Sequence, residues 1–545
     1  MITRIRALLL GWLVIGLLGC DGQGPTVPTD DCTISVGSLA VGEVLEGETR
    51  GPEAVTCVTD PAGGTYVAVP FVAAKPNSVA PFDVVIRAEG MVPLGETTAS
   101  ASSSHSPSHG SQLQEVKFHR DLRRRGRELR RSAPPGQRIS PGVFRQPVAL
   151  PEVGDALALN VTGRCEEHDV HQGRVVAVTD HSVVLVDESN PLPDRWRDEE
   201  LETLGRVFDT LVYPVVTEAF GSPVDFDGNG RIRLFFSRGV NELSPPGAGV
   251  VAGFFWSGDL FPSSQCPGTN GGEILYLAVP DPFGEVGNPL EGETIRSVAL
   301  SIIGHELQHL INAGGRLVRG ASDFEETWLN EGLSVLAEEL LFYRASGLGP
   351  RQNLAAGTVL DGGPVQGLFE RFGMGNVGRY NLFLQVPRGT SPMGRDALAT
   401  RGATWSFLRY ALDRDPGEDE VLLRSLAGAS ATGLDNLEAE LGTDPLAWMG
   451  DWSASVFLDD DGGRIGPHMQ PSWNFRSLVP SLRSDQEFPL EVLALSERGL
   501  LLTMGPGNTG YVIFESKAGR PLQVRFTPVE PLSAGVLRVS LIRVR

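Results

Sequence analysis

Residues 302–311 read Ile302-Ile303-Gly304-His305-Glu306-Leu307-Gln308-His309-Leu310-Ile311, and this stretch decides the fold. Upstream, Ile295, Val298, Ala299, Ile302 and Ile303 recur at helical spacing, and Leu310 and Ile311 carry the pattern on to Gly314-Gly315, where a helix stop is expected. The spacing therefore predicts a buried helix. His305 and His309 stand at i and i+4, one turn apart on one face, as two ligands of one tetrahedral zinc must. Glu306 sits beside them, where a carboxylate can take a proton from metal-bound water. The apolar flanks argue against two merely solvent-facing histidines, and only these two of the nine histidines lie between His181 and His468.

A catalytic zinc generally keeps three protein ligands and one open position. A third histidine six residues after His309 is excluded, because residue 315 is Gly. The next helical segment offers carboxylates instead, with Glu325, Glu326, Glu331, Glu338 and Glu339 all present. Here the chain resembles the gluzincins, whose third ligand is a Glu on such a helix. More narrowly, it resembles the hyicolysin-type family of bacterial extracellular metallopeptidases. The matching residues are His305-Glu306-Leu307-Gln308-His309 and Trp328-Leu329-Asn330-Glu331-Gly332-Leu333-Ser334, within about residues 200 to 455.

The resemblance implies zinc on His305, His309 and Glu331, Glu306 as general base, and peptide-bond hydrolysis as the reaction. Glu338 shares a helix face with Glu331, which makes it a candidate for orienting a ligand histidine, with a solvent-facing helix carboxylate as the simpler alternative. For the donor that stabilises the oxyanion, Tyr380, Tyr410 and His468 are candidates, none in a matching motif. The absence of a Gly-x-Met-Glu-Asn type aminopeptidase motif favours an endopeptidase.

The chain is long enough, at 545 residues, for two to four domains. An α+β fold is expected, with a zincin-like catalytic domain at 190–480 whose helices carry the HExxH motif and the Glu. Alternating apolar patterns place an N-terminal β-sandwich-like module at 32–98 and a C-terminal β-domain at 485–545. A further β element at 147–189 leads into the catalytic domain. Residues 99–146 hold a Ser/Gly-rich linker and a basic helix: Glu115 to Arg131 carries eight Lys/Arg against three acids. Such a helix could touch anionic lipid, though a solvated face is the simpler expectation.

Arg4, Arg6 and an apolar run of thirteen residues, Ala7 to Gly19, read as a signal peptide at 1–19, too short to span a bilayer. It ends Leu17-Leu18-Gly19-Cys20, which resembles the lipobox of bacterial lipoproteins, so Cys20 is the expected lipid attachment, followed by a polar tether at 20–31. The protein is then expected on the outer face of a bacterial membrane, anchored by lipid, with protein or peptide substrates. The remaining cysteines are even in number, and proximity suggests Cys32–Cys57 and Cys165–Cys266 as disulfides. The net charge of −21 repels phosphate backbones and argues against nucleic acid as a partner.

Asp225-Phe226-Asp227-Gly228-Asn229-Gly230 places oxygen ligands at alternate positions of a Gly-rich turn, which suggests calcium on Asp225, Asp227 and Asn229. No Glu stands at the twelfth position of that loop, since residue 236 is Phe, and an Asx-rich turn accounts for it equally. Two rivals to the peptidase reading stand: a surface binding or adhesion protein without turnover, and a zinc hydrolase acting on a non-peptide amide of the cell envelope.

Overall fold

The computed structural model describes residues 32–48, 53–90, 109–134, 136–140, 150–247, 249–460, 466–533 and 535–545. The signal peptide, the tether and Cys20 lie outside the described residues.

Five strands come first: β1 (Ile34–Val36), β2 (Val44–Glu48), β3 (Ala54–Val58), β4 (Gly64–Val72) and β5 (Phe82–Glu89). Six follow in the centre: β6 (Ala156–Asn160), β7 (Val170–Val178), β8 (Ser182–Asp187), β9 (Ile232–Phe236), β10 (Gly253–Phe255) and β11 (Ile274–Leu277). The last five are β12 (Leu493–Ala494), β13 (Leu500–Met504), β14 (Val512–Ser516), β15 (Leu522–Pro528) and β16 (Leu537–Arg543).

The terminal strands overturn the expectation of two separate β-modules. One sheet runs β1-β3-β15-β5-β13 and the other β12-β14-β4-β16-β2, so each is woven from both ends of the chain. β15 pairs with β3 on one side and β5 on the other, while β4 lies between β14 and β16. The reason is burial. Every residue of β3, and β4 from Tyr66 to Val72, is buried, and such strands need neighbours on both edges. The C-terminal strands supply them, and Tyr66, Val84, Ile86, Val524, Phe526 and Val539 share one core.

The central strands form the third sheet, ordered β10-β11-β9-β8-β7-β6. The stretch expected to lead into the catalytic domain, 147–189, is therefore half of that domain's sheet. β8, β9 and β11 are buried along almost their whole length and carry the apolar runs of strands covered on both faces. β10 closes one edge, antiparallel to β11. Both expected disulfides, Cys32–Cys57 and Cys165–Cys266, are formed.

Two helices carry the motifs. The motif helix spans Gly292–Arg319 and ends at Gly320, whose φ of 74° suits glycine, and not at Gly314-Gly315 as expected. Two interior glycines cost about 1 kcal/mol each in propensity, but a Cβ on Gly314 would already stand 3.3 Å from the Phe226 ring, so packing overrides the stop signal. The glutamate helix spans Thr327–Ser346. Contact between the two is close: a Cβ on Gly304 would fall 2.5 Å from Leu341 Cδ1. No helix among the described residues is long and apolar enough to cross a membrane.

Because β15 separates β3 from β5 and β16 separates β4 from β2, the five N-terminal strands pair with one another only at β1–β3. Deleting residues 499–545 is expected to make 32–90 trypsin-sensitive under conditions that leave the full chain intact. Equal protection in the truncated chain would show that the N-terminal strands fold alone.

Candidate metal centre

The crossing of the motif and glutamate helices brings His305, His309 and Glu331 together, with one ligand atom of each within 4.8 Å of the others. Nε2 of His309 lies 3.3 Å from Glu331 Oε1, and Nε2 of His305 lies 3.6 Å from Oε2. The opposite ring nitrogens are held from behind. His305 Nδ1 meets Glu338 Oε1 at 2.8 Å, and His309 Nδ1 meets the Ser334 hydroxyl at 3.0 Å. A carboxylate only accepts, so Nδ1 of His305 carries a proton, and Nε2, on the Glu331 side, is the nitrogen that would bind a metal by giving up its own proton. Ser334 in turn donates to Gln308 Oε1 at 2.5 Å. Its oxygen therefore accepts from His309, which gives that ring the same tautomer.

These residues fit a zinc ion. Two imidazole nitrogens and a carboxylate are its ordinary ligand set. Glu331 is 1% exposed, and its Oε2 is buried with no hydrogen bond, although Arg401 Nε stands 3.0 Å away. Burial would raise the Glu331 carboxyl, but Arg123, Arg401 and the two histidines override it and hold it well below the usual range. His305 goes the other way: burial would lower it, while the adjacent carboxylates of Glu331 and Glu338 raise it to about 9.

Glu306 points to the β-sheet side. Its Oε2 accepts the Phe255 backbone N–H at 2.9 Å, so the edge strand β10 positions the carboxylate beside the two histidines. Glu338 is buried rather than solvent-facing. It accepts from Ser301 Oγ at 3.4 Å and from Arg379 Nη1 at 3.2 Å, besides His305. The remaining acids of that segment are engaged elsewhere. Glu325 pairs with Arg316 at 2.5 Å, Glu326 takes the Trp328 indole N–H at 2.6 Å, and Glu339 takes that of Trp473 at 2.6 Å.

Tyr380, Tyr410 and His468 do not line the cavity at the site. Tyr380 packs at a tilt against Phe475, the Tyr410 hydroxyl donates to Pro467 O, and His468 pairs with Glu46. The cavity is lined by other groups, notably His119 and Arg123 of the basic helix, with Phe255, Trp256, Glu306, His309 and Asn330. Arg123 pairs with Glu331 and also with Asp396, which Arg401 holds at 2.8 Å from its other side. Sequence reasoning found none of Ser334, His119, Arg123, Asp396 and Arg401 as site residues. Only the basic run itself was a signal.

At the Gly-rich turn, Asn229 donates its amide to Asp227 Oδ2 at 2.7 Å, and its Oδ1 accepts the Arg231 N–H at 2.6 Å. The oxygens that gather there are those of Asp225, Asp227 and Glu273.

No family model matches the chain. It is 26% identical over 144 residues to the neutral metalloprotease ShpI of Staphylococcus hyicus, a stretch covering 26% of this chain and 31% of that protein. The match thus spans about a third of the relative's length. This distant similarity, with the gathered His305, His309 and Glu331, supports a metallopeptidase and zinc as its metal.

Removing the groups behind the ligand histidines should loosen the metal without removing a ligand. Glu338→Gln and Ser334→Ala are each expected to weaken zinc affinity by about 10- to 100-fold, read by competition with a chromophoric chelator. Unchanged affinity in both would mean that neither contact orients its histidine.

Proposed function

We propose that the protein is an extracytoplasmic zinc metallopeptidase that cuts internal peptide bonds. The observation that carries this reading is the convergence of His305, His309 and Glu331 on one point with Glu306 beside it. When bound there, zinc supplies an acidified water and a Lewis acid for the scissile carbonyl. Glu306 is the base. It takes the proton of the attacking water and returns it to the departing amine nitrogen, while the Phe255 N–H keeps its carboxylate aimed.

The substrate class follows from the sheet edge. β10 has β11 on one side and, among the described residues, no strand on the other. An extended peptide can pair along such an edge through its main chain, which selects polypeptide over a compact amide. A chain bound that way continues beyond the site at both ends, which favours internal cleavage.

Location outside the cytoplasm is supported by two disulfides that pair every cysteine after Cys20. The signal-like residues 1–19 and the lipobox-like Leu17-Leu18-Gly19-Cys20 add an anchor at Cys20 to the proposal.

Residues 21–545 carrying one zinc are expected to cut unfolded casein and a quenched-fluorescence peptide, and to stop when a zinc chelator is added. Glu306→Gln should slow hydrolysis by a factor of about 10²–10⁴ with zinc content unchanged. A variant that binds zinc and still turns over at the wild-type rate would remove Glu306 from the mechanism.

A further inference from the structure

The basic helix, His109–Ser132, lies across the mouth of the metal centre. Its expected solvated face is in fact a docking face. Arg123 reaches Glu331 and Asp396. Arg127 donates to Thr327 Oγ1 at 2.9 Å, Arg130 to Ala321 O at 2.7 Å, and Arg131 to Asp323 Oδ2 at 2.9 Å. On the sheet side Phe118 packs on Phe254 of β10 with ring centres 5.2 Å apart, and the Arg125 guanidinium stands over the Trp256 ring. Gly126 interrupts the arginine run where a Cβ would fall 2.4 Å from Ser257 Oγ, so the helix is shaped to this approach.

What the helix leaves open is small. The cavity between it, Glu306 and His309 holds about 50 Å³, room for a few waters at about 10–15 Å³ each and not for a polypeptide. Glu306 is 4% exposed and both histidines 7%.

We propose, on the peptidase reading above, that residues 118–131 are a built-in inhibitor filling the substrate cleft, with Arg123 as the plug on Glu331 and Asp396. Hydrolysis requires the helix to leave. Charge supports the competition. Among the described residues, the arginines paired with Glu331, Glu338 and Asp396 once the helix is gone are Arg379 and Arg401; with Glu306 beside them the four carboxylates exceed the two guanidiniums by two charges, which one divalent cation closes. Arg123 adds a positive charge at the same carboxylate and opposes that cation.

The test reverses two docking charges that touch none of His305, Glu306, His309 and Glu331, Arg127 at the rim of the cavity and Arg131 beyond it. Arg127→Glu with Arg131→Glu sets two carboxylates against Asp323 and Glu326 and leaves every group of the centre in place. In the zinc-loaded full chain, hydrogen exchange over 118–131 is expected to rise. Peptide hydrolysis should rise about tenfold or more, as expected if the docked state held nine-tenths or more of the molecules. A synthetic peptide of residues 113–132 should bind this variant by fluorescence anisotropy and suppress the gain, and its Arg123→Ala form should do neither. Released exchange without any gain in hydrolysis would make the helix merely structural. If no variant hydrolyses anything while the peptide still binds, the peptidase reading fails and the docking stands.

A second inference rests on a different observation. Glu273, 2% exposed, sends Oε1 to the Phe226 N–H at 2.7 Å but leaves Oε2 buried with no partner. One oxygen each of Asp225, Asp227 and Glu273 lies within 4.8 Å of the other two, and Arg233, 3.3 Å from Asp227, is the cation paired with them. Three carboxylates against one guanidinium leave two negative charges in a largely buried turn. The geometry points to a calcium site closed by Glu273 from the segment just before β11, supplying the carboxylate the loop itself lacks. Burial, and then Asp227, push the Glu273 carboxyl up to about 8, which marks the cost of leaving the cluster uncompensated.

Calcium at about 0.1–1 mM, the range of extracellular sites, is expected to raise the Tm of the zinc-loaded protein where magnesium does not. Glu273→Gln should remove the response while folding normally by circular dichroism. A wild-type Tm indifferent to calcium overturns the site, whatever the peptidase assays show.

Discussion

The structure depends on how closely two helices can cross. A Cβ at Gly304 would intrude on Leu341, and one at Gly332 would fall 2.5 Å from Thr404 Cγ2 on the helix behind. Both positions are glycine, so the glutamate helix seats between its neighbours. Only then can Glu331 reach the Nε2 atoms of His305 and His309 while Glu338 and Ser334 reach the Nδ1 atoms. Ligand sets tolerate errors of roughly 0.2 Å, and a methyl group is larger than that.

The same crossing buries charge densely, and burial of ions is costly unless each is paired. Glu338 is balanced by Arg379, and Glu331 and Asp396 share Arg401. The arginines come from outside the two motif helices, from 374–384 and 398–414. This explains the size of the helical region behind the site. It supplies the countercharges that let three acids stand in a dry core, as well as apolar packing around Trp405 and Trp473.

The local parts of this arrangement were legible in the sequence. Helical periodicity placed His305 and His309 on one face; Glu331 came from the resemblance, and the helix face it shares with Glu338 made that second carboxylate a candidate. Chain proximity gave Cys32–Cys57 and Cys165–Cys266. Long-range pairing left no such mark. β15 slots between β3 and β5 across more than four hundred residues, and alternating patterns look the same whether a strand's neighbour is near or far in the chain. The glycines at 314 and 315 misled for a related reason: a propensity of about 1 kcal/mol is visible locally, while the Phe226 ring that outweighs it is not.

Arg123 shows where composition stops informing. A run of arginines beside sparse leucines reads as a solvated or lipid-facing helix, because solvent is the usual partner of exposed cations. The chain's excess of acids changes that expectation. With a net charge of −21, a segment carrying eight basic residues finds its strongest counterfield on its own molecule. Buried acids within its reach stand at the proposed metal centre, at Glu331 and Asp396. A cleft built negative to hold a dication is thus also a cleft that attracts an arginine. Two ligands that bind one carboxylate with positive charge must oppose each other reciprocally, so helix docking and metal loading at this centre share a single electrostatic account.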